Sequence, residues 1–408
     1  METQSGTSGA ITSGSGDGKI TDETLAVARK MIGIRLRPEG PYLQDVTPDT
    51  IRNFCNGVGD MNPLYRDIEY GRNSQYGSIL ASPMFPMAFG WIGRTRWGLP
   101  GVHGFFGGND WEFFRNLRPG DRVTAIERVV AVEDKESKFS GRLAIQFSEG
   151  EFYNQRDELI ARVLAWCTRH ERKAAREKGK YSNIEKYEYK DHEIEQINAA
   201  ILNEATTVRG REIRYWEDVN IGDELPSIAR GPLSSMDTIG FLVGCGRGHS
   251  GGMLLKTALK HPGHFIRSED SGGRMEHTIN IHHRESMARK AGIPGVLDYG
   301  AQRCSWMPIP VTNWMGDAGI LKRIRTELRL PNAMGDTTWC KGKVSAKYVK
   351  DGYACVDISV WGENQRGEIT SPNGCATVIL PSKKIESKVS QNGAGVDLGF
   401  GVYGEQKK

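Results

Sequence analysis

Two stretches of the chain repeat the same order of residues, and only the second contains groups that exchange a proton near neutral pH. Residues 65–85 align with residues 282–302 in register and without a gap, which places Tyr65 opposite His282. An imidazole titrates close to pH 7, whereas the reference pKa of a phenol is about 10. The pattern therefore predicts that acid–base chemistry belongs to the second stretch.

The same alignment places Pro83 opposite Gly300. A proline has no backbone N–H, so a turn that offers a hydrogen-bond donor to a substrate in the second copy cannot do so at this position in the first. We predict that the two copies have different roles, with the second as the catalytic one.

Further matches extend the repeat along most of the chain. The run Arg118-Pro-Gly-Asp121 matches Met334-Gly-Asp336, and residues 154–158 match residues 364–368. A chain of 408 residues with 38% apolar content can bury two separate cores. The repeat therefore indicates a duplicated domain.

Composition shifts predict five segments. They are a disordered Gly/Ser-rich tail at 1–35, a first copy at 36–168, a charged helical linker at 169–212, a second copy at 213–382 with an insert at 245–276, and a flexible tail at 383–408. In each copy a helix precedes a strand-rich half. Residues 84–92 are apolar for longer than most strands and predict a buried helix.

Charge and cysteine usage narrow the classes of function. The formal net charge is only +4 and both signs are spread along the chain, which argues against nucleic-acid binding. Seven scattered cysteines are typical of reduced thiols and not of a disulfide framework. No stretch is long and apolar enough to span a membrane, and the N-terminal tail lacks the apolar core of a signal peptide. We expect a cytoplasmic protein with no nucleic-acid or membrane partner.

The run Gly59-Asp-Met-Asn-Pro-Leu-Tyr65 resembles the Gly-Asp-x-Asn-Pro-x-His signature of MaoC-like enoyl-CoA hydratases and dehydratases. With the duplicated order, the resemblance covers about residues 40 to 382 and extends to the double hot-dog members of that family. It implies an α+β tandem hot-dog fold in which each copy has a long central helix wrapped by a curved antiparallel sheet.

The resemblance also implies a catalytic mechanism, but each copy lacks one or more of the residues that the mechanism uses. In the family an Asp and a His hold one water against the β-carbon of an enoyl thioester, and a backbone N–H at the start of the central helix meets the enolate oxygen. The first copy keeps Asp60 and Asn62 but has Tyr65 in place of the His. The second copy keeps the His and the Gly but has His277 in place of the Asp.

Our hypothesis is that His277 and His282 share the acid and base roles, with the Gly300 N–H as oxyanion donor. Either Glu276 or Asp298 replaces the missing carboxylate as orienter or base. In the first copy, Asp60, Asn62 and Tyr65 are secondary site candidates that can equally be turn and cap residues.

The substrate implied is an acyl-CoA thioester, so coenzyme A enters as part of the substrate and no separate cofactor is expected. Candidates to meet its phosphates are Arg284, Arg289 and Lys290, and candidates to line an apolar acyl pocket are Phe89 and Trp91. Exposed strand edges, together with the tendency of hot-dog proteins to associate, predict a homodimer.

Other functions stay open at this point. A hot-dog thioesterase directs water to the carbonyl carbon, and the two broken signatures also suit a non-catalytic acyl-CoA-binding partner subunit. A metal site is disfavoured because the histidines at 249, 261, 264, 277, 282 and 283 match no recognised ligand spacing. The Gly-x-Gly-x-x-Gly match at 246–251 lacks the βαβ context of a dinucleotide site.

Overall fold

A computed structural model describes residues 18–36, 43–93, 98–99, 101–137, 141–171, 186–247, 265–290, 293 and 295–385, apart from the side chains of Ser137, Ile266 and Lys290. The predictions for residues 1–17, for insert residues 248–264 and for residues 386–408 lie outside this part of the chain. So does the linker between residues 172 and 185.

One antiparallel sheet of nine strands runs through both copies. The first copy contributes β1 (His103–Phe113), β2 (Thr124–Ser137), β3 (Gly141–Tyr153) and β4 (Leu159–His170). The second contributes β5 (Ile228–Arg230), β8 (Ile320–Glu327), β9 (Thr338–Lys350), β10 (Tyr353–Asn364) and β11 (Ile369–Ile379), while β6 (Phe265–Arg267) and β7 (Met275–His277) pair separately.

The order of the large sheet is β2-β3-β4-β1-β8-β11-β10-β9-β5, so four strands of each copy follow the same order outward from the centre. The copies join where β1 pairs with β8, with Trp111 opposite Ile324. Along β4 buried and half-buried residues alternate, as expected for a strand with one face on the core. The α+β class and the duplication are therefore confirmed.

The helices are α1 (Asp22–Arg29), α2 (Pro48–Val58), α3 (Pro63–Arg66), α4 (Ile68–Arg72), α5 (Asp191–Asn203), α6 (Ser235–Gly244), α7 (Glu285–Lys290), α8 (Gly300–Trp306) and α9 (Ile309–Met315). Short 3₁₀ helices lie at Phe85–Ala88, Glu204–Thr207, Trp216–Asp218 and Thr278–His282. No helix of the described ranges is both long and apolar enough to cross a membrane.

Helix α1 corrects the boundary predicted for the N-terminal tail. The side chain of Thr21 caps α1 by accepting from the Thr24 N–H, and Leu25 and Ala28 are buried against Val129 and other residues of the first copy. Burial of this apolar face offsets the conformational entropy that residues 22–29 lose when they become ordered. The ordered chain therefore begins before residue 36.

The equivalent helices α2 and α6 cross at glycines. A Cβ on Gly57 would lie 2.7 Å from the Gly240 carbonyl oxygen, which is too close for any side chain. Helix α2 begins after its Thr47 cap, as predicted, and ends at Gly59, whose φ of 73° lies in the left-handed region. This end of α2 leads directly into the motif of the first copy.

The central helix differs between the copies. In the second copy α8 and α9 are buried along almost their whole length. In the first copy residues 84–90 are buried as predicted, but only Phe85–Ala88 form a helix, a single 3₁₀ turn. Pro86 has no N–H for the helical ladder, and Gly93, at φ 80°, packs against β4 at Ala165. The first copy therefore lacks a full central helix.

Candidate functional site

His282 ends the 3₁₀ helix Thr278–His282 and is held by a backbone carbonyl. Its Nδ1 lies 3.0 Å from the Leu297 carbonyl oxygen, and its ring packs on the Tyr299 ring with centroids 4.0 Å apart. A carbonyl oxygen only accepts, so Nδ1 carries the proton and Nε2 is left with a lone pair. The half-buried imidazole thus has the tautomer of a base.

Burial lowers the pKa of His282 to about 4, and this effect outweighs the hydrogen bond to Leu297, which raises the pKa. The neighbouring His283 and Arg247 lower the pKa further. His282 is therefore neutral at physiological pH, which is the form that can accept a proton from water.

His277 has the complementary tautomer. Its Nδ1 accepts a hydrogen bond of 3.0 Å from the Ile279 N–H, so its proton is on Nε2. In the first copy the Asp60 side chain caps the equivalent turn by accepting from the Asn62 N–H at 3.1 Å. The two residues are therefore equivalent caps, and His277 carries its ring proton on Nε2 whereas His282 carries it on Nδ1.

Gly300 is the first residue of α8, where the helix N–H groups have no partner within the helix. A Cβ at this position would lie 2.8 Å from Leu328 Cδ1 and 3.0 Å from Phe106 Cβ. A side chain at this position would therefore have to displace Leu328 or Phe106, the latter from β1 of the other copy. An N–H in this first turn is suited to meet a developing negative charge.

The Asp298 carboxylate does not orient His282, which corrects one prediction. Both of its oxygens are bonded to Arg303, at 2.6 and 2.7 Å, and Asn332 lies 3.3 Å away. Asp298 and Arg303 are 4% and 3% exposed, so neither charge can be satisfied by water. The group that orients the imidazole is the Leu297 carbonyl, and Asp298 fixes the turn that carries it.

The predicted basic residues lie on the segment after His282. Arg284 pairs with Glu276 at 2.9 Å and Arg289 donates to Glu285 at 3.0 Å, while the Lys290 side chain is outside the described residues. Glu276 also accepts from Asn280 at 2.8 Å, so it supports the motif and does not face His282 as a base. Contact of these arginines with coenzyme A stays a prediction.

Trp91 lies beside the second-copy site, although it belongs to the first copy. Its ring is 5.9 Å from the rings of both Phe241 and Tyr299, and the Arg247 guanidinium lies 3.9 Å over it. Sequence reasoning missed Phe241, Tyr299 and Arg247, because their roles arise from contacts between distant segments. Of these three residues, only Tyr299 could have been found from the sequence, because it directly precedes Gly300 of the repeat alignment.

Phe89 has a different location. It packs edge-on against Phe85, with ring centroids 5.1 Å apart, and is only 2% exposed. The residue belongs to the core of the first copy and does not line the site around His282.

The first-copy motif is buried and contains an acid with a shifted pKa. Asp60 is fully buried and accepts from the Asn62 N–H and from the Ser82 hydroxyl at 3.0 Å. Burial raises the pKa of Asp60 to about 6 despite these two hydrogen bonds. Burial also raises the pKa of Tyr65 well above its usual value, so this phenol is no base.

We expect Asp60→Asn to stabilise the protein at pH 7.5 by on the order of 2 kcal/mol, because the folded state pays to keep this carboxylate charged. Because the pKa of Asp60 is raised in the folded state, the folded chain keeps the Asp60 proton between about pH 4 and 6, whereas the unfolded chain loses it. The free-energy cost of the buried charge therefore grows as the pH rises through this window. Urea unfolding at pH 5 and 7.5 measures the difference. The exposed Asp191→Asn is the control, and equal pH dependence in both variants would contradict the prediction.

Outside this site, the described residues hold neither a metal-ligand cluster nor a disulfide. No group of three or more His, Cys, Asp or Glu in these ranges is placed to hold a metal ion, while His249, His261 and His264 lie outside them. All seven cysteines have free thiols. His283 bonds to the Tyr299 hydroxyl at 2.8 Å and so supports the ring that packs on His282.

Comparison with known proteins finds a family model that matches part of the chain and solved structures that share its fold. Residues 30–163, in the first copy, match the family model of the FAS1-like dehydratase domain region. A UPF0336 protein of Streptomyces coelicolor is 27% identical over 148 residues, 35% of this chain and 93% of the relative. A UPF0336 protein of Thermobifida fusca is 29% identical over 115 residues, 27% of this chain and 74% of the relative.

Three solved structures share the architecture. A MaoC-like dehydratase has a TM-score of 0.58 at 17% identity and covers 87% of this chain and 100% of its own. A MaoC domain protein dehydratase from Chloroflexus aurantiacus scores 0.53 at 11% identity, covering 86% and 95%. A conserved hypothetical protein of Mycobacterium tuberculosis with a double hot-dog fold scores 0.53 at 10%, covering 86% and 96%. The resemblance and the double hot-dog fold are confirmed.

Proposed function

We propose that this chain, with the double hot-dog fold of MaoC-like dehydratases, hydrates an α,β-unsaturated acyl-CoA or dehydrates the 3-hydroxyacyl-CoA. The observation that carries the proposal is the tautomer of His282, whose Nδ1–H is bonded to Leu297 while Nε2 keeps its lone pair. In the other copy the buried Tyr65, a poor base, takes this place.

In the hydration direction, His282 Nε2 takes a proton from a water molecule whose oxygen bonds to the β-carbon. The electron pair of the double bond moves to the thioester, and the resulting enolate oxygen faces the N–H of Gly300 at the start of α8. The α-carbon then receives a proton, which completes the addition of water.

The structure favours His282 for both proton transfers. His277 keeps its Nδ1 as the acceptor in the cap with Ile279, so loss of its Nε2 proton would leave an imidazolate. We therefore assign to His277 the role of donating a hydrogen bond that holds the attacking water. The imidazolium formed at His282 returns the proton to the α-carbon.

The aromatic rings near His282 suit an apolar acyl group, with Tyr299 packed on the imidazole and Trp91 packed on Tyr299. We expect the rest of the substrate to be coenzyme A, with no separate cofactor. We also expect a cytoplasmic homodimer.

The test is the loss of enoyl-thioester absorbance when the purified chain meets enoyl-CoAs from short linear to bulky cyclic. Hydration lowers the absorbance and releases no thiol, whereas release of free thiol identifies a thioesterase. Binding of crotonyl-CoA with no change in either signal identifies a non-catalytic binder and overturns the proposal.

The pH profile of kcat/KM gives a second prediction. Burial lowers the pKa of His282 to about 4, so the base stays neutral well below the usual range of histidine. We expect the rate to be level between about pH 5.5 and 7.5 and to fall only as the pH approaches 4, where protonation removes the acceptor. Initial rates in overlapping buffers measure this. An acidic limb near pH 6.5 would show that His282 is not desolvated in the free enzyme.

A further inference from the structure

Helix α6 ends in a turn that fixes the position of Arg247. Gly246, at φ 70°, lies in the left-handed region, and its N–H donates to the Val243 carbonyl at 2.9 Å. The Arg247 N–H donates to the Leu242 carbonyl at 2.7 Å. These two bonds are those of a Schellman motif, which closes the helix and directs the chain that follows it. The backbone therefore sets the point from which the Arg247 side chain extends.

The same turn in the first copy carries the opposite charge. Helix α2 ends at the left-handed Gly59, and the Asp60 N–H donates to the Cys55 carbonyl at 3.0 Å. Asp60 and Arg247 thus occupy equivalent positions, each directly after the left-handed glycine. Because one turn is followed by an acid and the other by a base, the helix end itself requires neither charge. The cation at this position is therefore specific to the second copy.

The Arg247 guanidinium lies against the aromatic rings of the second site. It is 3.9 Å from the centroid of the Trp91 ring, and Arg247 is only 6% exposed. Trp91 packs on Tyr299, whose ring packs in turn on the His282 imidazole. Arg247 also acts on His282 electrostatically and helps to lower the pKa of that imidazole. The guanidinium and the imidazole therefore belong to one site, in which two ring contacts separate them.

Burial selects the kind of anion that can meet Arg247. The phosphates of coenzyme A lie at the far end of the pantetheine arm from the thioester, and the side chains of Arg284 and Arg289, 39% and 61% exposed, are open to them. An anion that reaches the buried guanidinium has to enter with the acyl group. A guanidinium has several N–H donors in one plane, so it can form parallel hydrogen bonds to a carboxylate in addition to its contacts within the protein.

We propose that the acyl group of the substrate carries a second carboxylate at its far end, and that the Arg247 guanidinium binds this carboxylate while the enoyl thioester lies at His282. The substrate class is then the mono-CoA thioester of an α,β-unsaturated dicarboxylic acid. The aromatic rings pack on the apolar middle of the acyl chain, and Arg247 meets its charged end. This inference rests on the activity proposed above, because it assigns the substrate of the same site.

The experiment is a calorimetric binding titration of the full chain with glutaryl-, adipyl- and suberyl-CoA, each compared with its terminal methyl ester. These saturated thioesters cannot be hydrated, so their affinities report the site independently of turnover. At the best chain length we expect the acid to bind wild type about 10- to 100-fold more tightly than the ester, the effect of a charge-assisted hydrogen bond. Arg247→Leu should reduce this preference to within about threefold. Arg247→Lys keeps the charge without the planar fork and should keep part of the preference.

The matched control is Arg284→Gln, which removes a more exposed arginine on the segment after His282. If Arg284 contacts coenzyme A, the variant weakens binding of acid and ester by the same factor, so the ratio of the two affinities stays within about twofold of wild type. Equal binding of acid and ester by wild type at every chain length overturns the proposal, as does a preference for the acid that survives in Arg247→Leu. Equal weakening of acid and ester by Arg247→Leu identifies a phosphate of coenzyme A as the anion and also overturns it.

Turnover of the corresponding 2-enoyl thioesters separates this inference from the proposed hydration. We expect kcat/KM in wild type to favour the acid over its methyl ester by a similar factor, and Arg247→Leu to remove the difference. The ratio within each variant cancels any change in the pKa of His282 or in the fraction of folded protein. A preference for the acid in binding, with neither enoyl probe turned over, shows that the carboxylate site stands although hydration fails. Equal turnover of both probes with no preference in binding shows the reverse.

Discussion

His282→Ala should lower kcat for hydration by about 10²- to 10⁴-fold, the range for loss of a general acid–base group. The variant removes the Nε2 atom of His282, which accepts the proton. Nε2 is the acceptor because Nδ1–H donates to the Leu297 carbonyl. Loss of enoyl absorbance under saturating substrate measures the effect, with circular dichroism to show that the fold is kept.

His283→Ala is the matched control for this variant. The adjacent imidazole bonds to the Tyr299 hydroxyl and lies on the same segment, but it supports the aromatic ring and does not present the free acceptor. We expect it to keep activity within about tenfold of wild type. A His282→Ala protein as active as His283→Ala would place the chemistry elsewhere.

Asp298→Ala should destabilise the protein by about 3–5 kcal/mol, because it leaves the buried Arg303 guanidinium without its carboxylate. Two hydrogen bonds of 2.6 and 2.7 Å are lost, and Asn332 loses a partner. The free energy of unfolding from urea titration measures the effect.

A double variant distinguishes two effects of Asp298→Ala. One is the buried Arg303 charge left without a partner, and the other is the loss of the Asp298 side chain itself. Asp298→Leu combined with Arg303→Met removes both charges at similar volume, so we expect it to recover most of the lost stability. Hydration should stay impaired, because the turn that carries the Leu297 carbonyl is no longer fixed. A single Asp298→Ala variant within about 1 kcal/mol of wild type would show that Arg303 is satisfied without it.

The repeat in the sequence predicted the duplicated architecture, and the resemblance of residues 59–65 to the MaoC-like signature implied the α+β hot-dog class. Periodic burial along strands and local caps, such as Thr47 at α2, depend on neighbouring residues and are therefore readable from the chain. The shared motif also placed His277 and His282 five positions apart, and the 3₁₀ helix Thr278–His282 connects them, beginning after His277 and ending at His282.

The partners of these residues were set by the tertiary structure. The sequence offered Asp298 as the orienter, yet Arg303 competes for both of its oxygens and a carbonyl takes its place. The predicted helix at residues 84–92 reduces to one turn because the packing of Gly93 on β4 overrides the apolar pattern.

The chain alone therefore sufficed to predict which copy moves a proton, because that prediction depends on residue type: an imidazole and an N–H in one copy, a phenol and a proline in the other. Only the fold decided the protonation states and the neighbours. Burial fixes the pKa of His282 and Asp60, and Trp91 reaches the second site from the first copy. Desolvation and contacts between distant segments arise when the two copies pack together, so no local pattern records them.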